Sequence, residues 1–141
     1  MQRVSEARVL VDGDVVGEIG AGICVLIGFD VSDAEPEVAR FARKVAQLRI
    51  FEDGEGRMTS SVLDVHGSAL VVSQFTLIAD TRKGNRPSFS RAARPEQAEP
   101  LYEAFCGALE DEGVDVARGV FGARMEVQIA NDGPVTIVLD P

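Results

Sequence analysis

Ala69-Leu70-Val71-Val72-Ser73-Gln74-Phe75-Thr76-Leu77-Ile78-Ala79 is the stretch on which the fold turns. Leu70, Val71, Val72, Phe75, Leu77 and Ile78 give it the apolar content of a strand, so we expect one strand from Ala69 to Ala79. Ser73, Gln74 and Thr76 interrupt that pattern with two hydroxyls and an amide, and polar groups in a buried strand need partners. Upstream, Ile23 to Phe29 is a second continuous apolar run, as expected of a strand covered on both faces. Between the two, Ser32-Asp33-Ala34-Glu35 has capping-box spacing, and Val38, Phe41, Ala42, Val45 and Leu48 recur at helical intervals. Arg49-Ile50-Phe51 is expected to rejoin the sheet after this helix, and such a crossover predicts a parallel pair.

Further out, Arg3 to Val11 and Val15 to Ile19 alternate around Asp12-Gly13-Asp14, as the arms of a hairpin do. After the basic stretch Asp80 to Arg94, Pro95 opens a second helix with Ala98, Leu101, Tyr102, Phe105 and Leu109 on one stripe and Gly113 as its stop. Glu110-Asp111-Glu112 opposes the helix dipole at that end. Two closing strands are expected, Met125 to Ala130 and Val135 to Leu139, separated by Asn131-Asp132-Gly133-Pro134. A plain hairpin would need only Asp132-Gly133; proline removes a ladder donor and permits a cis peptide. The sum is α/β: a mixed sheet with two main helices on one side and a second β layer.

A chain of 141 residues without a compositional break suits one domain, residues 1–141. No basic-then-apolar leader and no membrane-length apolar run occurs, so we expect a soluble, cytoplasmic protein without membrane partners. Cys24 and Cys106 sit in apolar surroundings and read as small core residues rather than a disulfide.

Common catalytic constellations are missing. His66, the single histidine, lies in the turn-like Val65-His66-Gly67-Ser68, and Lys44 and Lys83 are the only lysines. No H-E-x-x-H, paired-cysteine or carboxylate cluster marks a metal site, and no metal or cofactor is expected. Gly17-Glu18-Ile19-Gly20-Ala21-Gly22 matches neither the Walker nor the dinucleotide spacing. What remains is hydroxyls without a dedicated base, which can suffice for an activated ester.

Ser73-Gln74-Phe75-Thr76 and Asn131-Asp132-Gly133-Pro134-Val135-Thr136 resemble the two signatures of the D-aminoacyl-tRNA deacylases, Ser-Gln-Phe-Thr and Asn-x-Gly-Pro-x-Thr. Gly17 to Gly22, Arg49-Ile50-Phe51, Arg86-Pro87-Ser88-Phe89-Ser90 and Phe121-Gly122-Ala123 are also similar to that family, so the resemblance spans nearly the whole chain. It implies a three-layer α/β/β arrangement, a homodimer, and hydrolysis of the ester of D-aminoacyl-tRNA and of mischarged glycyl-tRNA. The resemblance further implies that the N–H groups around Phe75 and Thr76 face the ester carbonyl while Ser73, Gln74 and Thr76 organise the site. Thr76 is the family's candidate nucleophile, but a threonine hydroxyl is weak and no histidine is near it in sequence, so we favour hydrolysis assisted by the tRNA 2′-hydroxyl.

Gly133-Pro134 is implied to be a cis peptide whose carbonyls enter the partner subunit's site and reject L side chains, flanked by Asn131, Val135 and Thr136. Arg3 resembles the arginine that braces this loop. Family members usually carry several apolar residues ahead of it, so here the first strand is expected to start short or frayed.

Charge limits the RNA contact. A net charge of −9 opposes broad nucleic-acid binding, and DNA is not expected as a partner. Yet Arg82, Lys83, Arg86, Arg91 and Arg94 lie in a stretch from Thr81 to Arg94 without an acidic residue. Arg82, Lys83, Arg86 and Arg91 are therefore candidate contacts to the tRNA acceptor 3′ end, the alternative being a solvated arginine-rich loop. Two rival readings stay open: a non-catalytic module binding a D-amino acid or an RNA 3′ end, and a general esterase on the same scaffold.

Overall fold

The computed structural model describes residues 1–140. Its strands are β1 (Gln2–Val11), β2 (Asp14–Ile19), β3 (Gly22–Ile27), β4 (Phe51–Glu52), β5 (Met58–Ser60), β6 (Ser68–Ser73), β7 (Asp115–Arg118) and β8 (Glu126–Thr136). The helices are α1 (Glu35–Gln47) and α2 (Pro95–Asp111).

The first two strands form the expected hairpin, and Asp12 and Gly13 at its tip have φ of 50° and 83°, the positive values that a tight two-residue hairpin turn takes. β3 and β6 are parallel neighbours, Gly22 opposite Ser68 and Ile27 opposite Ser73. Close approach at their start requires glycine: a Cβ on Gly22 would lie 1.9 Å from the Ser68 carbonyl oxygen. The six-stranded sheet runs β2-β1-β3-β6-β7, and β8 adds to β1. Gly17 of β2 lies so near β7 that a Cβ would fall 2.5 Å from the Arg118 carbonyl oxygen, so the sheet curls until it nearly closes.

Period-two alternation explains the packing. Ile23, Val25, Ile27, Ala69 and Val71 join one buried cluster with Val38, Ala42 and Val45 of α1 and the stripe of α2. Cys24, Leu70 and Val72, on the opposite face, join Val4, Ala7, Val9 and Ile19 in a second. Both strands are thus buried on two sides, which accounts for their unbroken apolar runs. Tyr102 is fully buried and donates its hydroxyl to the Val71 carbonyl at 2.8 Å, fixing α2 to β6. Burial pushes the Cys24 and Cys106 thiols up to about 11, so both stay protonated core residues.

Several expectations need correction. The strand expected from Ala69 to Ala79 stops at Ser73, and Phe75–Leu77 forms one turn of 3₁₀ helix. Arg49-Ile50-Phe51 does not rejoin the main sheet; β4 pairs antiparallel with β5 in a separate two-stranded sheet, and the parallel crossover from β3 reaches β6. β7 was not anticipated: it pairs parallel with β6, so α2 is a second crossover helix. No capping box forms on α1: the helix begins after Ala34, which has no capping side chain, the Ser32 hydroxyl donates instead to Asp30 Oδ1 at 2.8 Å, and Pro36 needs no backbone acceptor. The start of β1 is neither short nor frayed: it runs 10 residues, and the Met1 ammonium donates to the Ile137 carbonyl at 2.7 Å.

Gly113, at φ 100°, follows α2 as expected. The acidic cluster before it is offset by arginines from elsewhere in the chain: Arg118 Nη1 donates to Glu110 at 2.7 Å, and Arg43 Nε to Glu112 at 2.9 Å. Among the described residues no helix is long and apolar enough to cross a membrane.

Candidate active site

Where β6 ends, the polar groups of its motif escape burial. Ser73 and Gln74 are half-buried, and Phe75 and Thr76 are exposed, so the segment is a strand terminus rather than a polar interruption within one. The Gln74 N–H donates to the Ile27 carbonyl at 2.7 Å, holding the exit of β6 against the end of β3. Within the 3₁₀ turn the Leu77 and Ile78 N–H groups donate back to Gln74 and Phe75. The Phe75 and Thr76 N–H groups come before the first such bond and have no acceptor among the described residues, as the leading donors of a helical turn do. Gln74 Nε2 donates to Thr76 Oγ1, tying the two side chains together.

These donors stand beside a cavity of about 480 Å³ lined by Ser73, Gln74, Phe75, Phe29, Gly122 and Ala123, among others. Ser73–Phe75 were expected at such a site. The opposing wall at Phe121–Ala123 was not, although that stretch had already drawn notice for its family likeness. Thr76 is adjacent in sequence but not part of the lining. His66 lies beyond the opposite end of β6, in the left-handed region at φ 53°.

The basic segment is closed on itself and fastened to its neighbours. Asp80 and Ser88 exchange backbone hydrogen bonds of 2.8 and 2.9 Å, the Ala93 N–H donates to Phe29 at 2.8 Å, and Phe89 meets Phe75 edge to face at 5.2 Å. Its charges divide into two kinds. Arg82 grips Asp80 through both carboxylate oxygens at 2.9 and 2.6 Å, and Arg91 grips Asp30 at 2.9 and 2.7 Å. The Arg82 hydrogen bonds hold the Asp80 carboxyl well below the usual carboxylate range. Asp30 is lowered chiefly by donors from Ser32, with Arg91 adding to them. Lys83 and Arg86 make no ion pair among the described residues and keep their charge available.

Asn131–Thr136 turns out not to be a hairpin. Asn131 pairs with Val4 and Thr136 with Gln2, so both flanks follow the same strand while the residues between them bulge out unpaired. The Gly133–Pro134 peptide is cis, and both residues are exposed. Side chains close the base of the bulge. Asn131 Oδ1 accepts from the Val135 N–H at 2.9 Å, while Thr136 Oγ1 accepts from Asn131 and Gln2, both at 3.3 Å. Arg3, only 6% exposed, donates from Nε to the Asp132 carbonyl at 3.0 Å and from Nη1 to the Ile50 carbonyl at 2.9 Å.

Within one chain the two motif segments stay apart. Asn131–Thr136 sits beside the first residues of β1, which pair with Gly22–Cys24 at the start of β3, whereas Ser73 pairs with Ile27 at its end. None of Asn131, Gly133, Pro134, Val135 or Thr136 lines the cavity. No group of metal-ligating side chains occurs among the described residues.

Free N–H donors and two hydroxyls beside an apolar cavity without a charged base are chemically suited to an activated ester. The family model described as D-Tyr-tRNA(Tyr) deacylase matches residues 1–140, and the chain belongs to that family. It is 59% identical over 140 residues to a D-aminoacyl-tRNA deacylase of Roseiflexus castenholzii, covering 99% of this chain and 89% of the relative. A D-aminoacyl-tRNA deacylase of Thermus aquaticus is 55% identical, with 99% and 92% covered. Among solved structures, one titled c-Myc DNA Unwinding Element Binding Protein superposes with a TM-score of 0.90 at 44% identity, covering 99% of this chain and 96% of its own. A probable eukaryotic D-amino acid tRNA deacylase superposes at 0.82 with 20% identity, covering 94% and 92%, a likeness of fold.

Proposed function

We propose that this protein hydrolyses the ester linking a D-amino acid, or glycine, to the 3′ end of tRNA, releasing the free amino acid and the tRNA. The observation that carries the reading is the pair of unpartnered N–H groups at Phe75 and Thr76, set beside Ser73 and Gln74 at the cavity. Donors already in place where a carbonyl oxygen gains charge lower the barrier without reorganising during the reaction.

Water attacks the ester carbon and the carbonyl oxygen gains charge against the two N–H groups; collapse of this intermediate breaks the bond to the ribose 3′-oxygen, which leaves with the proton that the water gives up. The neighbouring ribose 2′-hydroxyl orients that water, so the substrate supplies what the chain lacks in a general base. Thr76 is a positioning group in this scheme: the neutral Gln74 amide that donates to its hydroxyl cannot take up its proton. Ser73 and Gln74 keep the turn in register with β3.

Stereochemistry is read by exclusion. In a homodimer, the Gly133 and Pro134 carbonyls of one protomer enter the other's site, accept from the substrate ammonium and fill the space an L side chain needs. Separation of the two motifs within a single chain supports this assignment, as does the bulge that thrusts Gly133–Pro134 out of β8. The two buried clusters on either face of β3 and β6 support a three-layer α/β/β arrangement. Lys83 and Arg86 lead the contacts to the acceptor end, with Arg82 and Arg91 shaping the loop through Asp80 and Asp30. Action on charged tRNA supports a cytoplasmic location. Incubation with D-tyrosyl-tRNA, L-tyrosyl-tRNA and a small D-amino ester tests the reading: loss of D-tyrosyl-tRNA alone supports it, cleavage of the small ester points to a general esterase, and binding without cleavage to a non-catalytic module.

A further inference from the structure

We infer that a second cationic surface, formed by Arg40, Arg43 and Lys44 on α1 with Arg49 just beyond it, docks the sugar-phosphate backbone of the tRNA outside the catalytic cavity. The inference rests on the deacylase reading, since it names where the body of that substrate lies. From Arg40 to Arg49 the chain carries these four cations and no acidic residue, against a net charge of −9 for the whole. Together with Gln47 and Leu48 they line one shallow, open depression of about 340 Å³. Positions 40, 43 and 44 fall on one helix face because residues three and four apart are neighbours.

Internal pairing does not account for the cluster. Arg43 alone is in an ion pair, with Glu112 at 2.9 Å, while Arg40, Lys44 and Arg49 have none among the described residues. The Asp64 carboxyl is lowered chiefly by hydrogen bonds from Ser61, with Arg49 adding a little, and Arg49 and Asp64 form no ion pair. The dipole at the end of α1 is answered by Lys44 in the last turn and Glu112 by Arg43, leaving Arg40 and Arg49 without an ion-pair partner among the described residues. The basic loop near Ser73 differs, since Arg82 and Arg91 are each locked to a carboxylate.

Location favours an RNA whose 3′ end is engaged in the partner protomer's site, the one that the Gly133–Pro134 bulge of this chain enters. The Ile50 carbonyl, next to Arg49, accepts from Arg3 Nη1, and Arg3 Nε reaches the Asp132 carbonyl beside Gly133. The surface is therefore joined through one buried side chain to the exposed Gly133–Pro134 bulge. Four neighbouring cations, three of them without an ion pair, on an otherwise acidic protein are complementary to phosphates.

The test uses Arg40→Gln/Lys44→Gln/Arg49→Gln, which leaves the Arg43–Glu112 pair intact, with D-tyrosyl-tRNA and a short D-tyrosyl-CCA ester as parallel substrates. We expect kcat/KM on full-length tRNA to fall roughly tenfold at about 0.1 M salt, mainly through KM, with the short ester cleaved as by wild type. Affinity for uncharged tRNA should become less salt-dependent, the log–log slope shrinking by about two to three. Unchanged kinetics on full-length tRNA, or an equal fall on both substrates, overturns the inference. If wild type cleaves neither substrate the deacylase reading fails, and the uncharged-tRNA slope still decides this surface: a shallower slope supports it. An unchanged slope overturns it and leaves an acidic protein surface as the occupant.

Discussion

Arg3 Nε lies 3.0 Å from the Asp132 carbonyl oxygen, joining the second residue of β1 to the bulge that carries Gly133 and Pro134. The same guanidinium reaches the buried Ile50 carbonyl, so one side chain holds two segments at once. Arg3→Ala leaves both carbonyls without that donor and should cost about 1–3 kcal/mol of stability. Denaturant unfolding measures the cost. Discrimination against L-tyrosyl-tRNA should weaken more than D-tyrosyl-tRNA cleavage slows; an unchanged D-to-L ratio contradicts the bracing role.

Gly28 packs closely against the turn at Phe75–Leu77. A Cβ there would lie 2.8 Å from the Gln74 carbonyl oxygen and 3.2 Å from Leu77 Cβ, and backbone must move to admit it. Gly28→Ala should therefore displace the Phe75 and Thr76 N–H groups and lower kcat by roughly a hundredfold, the lower end of what losing one oxyanion donor costs. A circular dichroism spectrum like that of wild type would separate this from unfolding. Undiminished kcat would show that the turn is not catalytic.

Thr76→Ala separates the two chemical schemes. With Thr76 as a positioning group, the variant should keep measurable hydrolysis, and tRNA ending in 2′-deoxyadenosine, aminoacylated at its 3′-hydroxyl, should be the substrate that fails. Full activity on the deoxy substrate together with complete loss in Thr76→Ala would establish a threonyl nucleophile instead.

Acid should loosen the loop from Asp80 to Ala92 before the rest. Asp30 and Asp80 both have lowered carboxyl pKa values in the folded protein. Their contribution is complete above the ordinary aspartate value of about 3.9 and is lost as pH falls below it toward the folded values. Amide exchange should report a steady loop from pH 7 to pH 5 and faster exchange at Arg91–Ala93 below about pH 4. Loss of protection already at pH 6 would contradict the role of these carboxylates.

Much of this architecture was legible from periodicity. Both helices, the hairpin around Asp12-Gly13 and the two-sided burial of Ile23–Ile27 follow from apolar spacing alone. Ser73 to Ala79 did not, because Phe75, Leu77 and Ile78 continue an apolar pattern that the backbone abandons; the first two end up exposed. β7 was missed because Asp115–Arg118 is short and places charged residues at both ends. Asn131–Thr136 looked like a turn, since no local signal distinguishes a hairpin from a bulge whose flanks share the distant β1 as partner. The cavity wall at Phe121–Ala123 is likewise assembled by tertiary contact. Ion pairing of Arg82 and Arg91 left no trace in the charge count, because one partner is two residues away and the other is Asp30.

The central claim is stereospecific ester hydrolysis, and the initial rates on D-tyrosyl-tRNA and L-tyrosyl-tRNA at equal concentration test it most directly. Rapid release of D-tyrosine, with L-tyrosyl-tRNA decaying no faster than in buffer, is the predicted result. Comparable cleavage of both, or of neither, would contradict it.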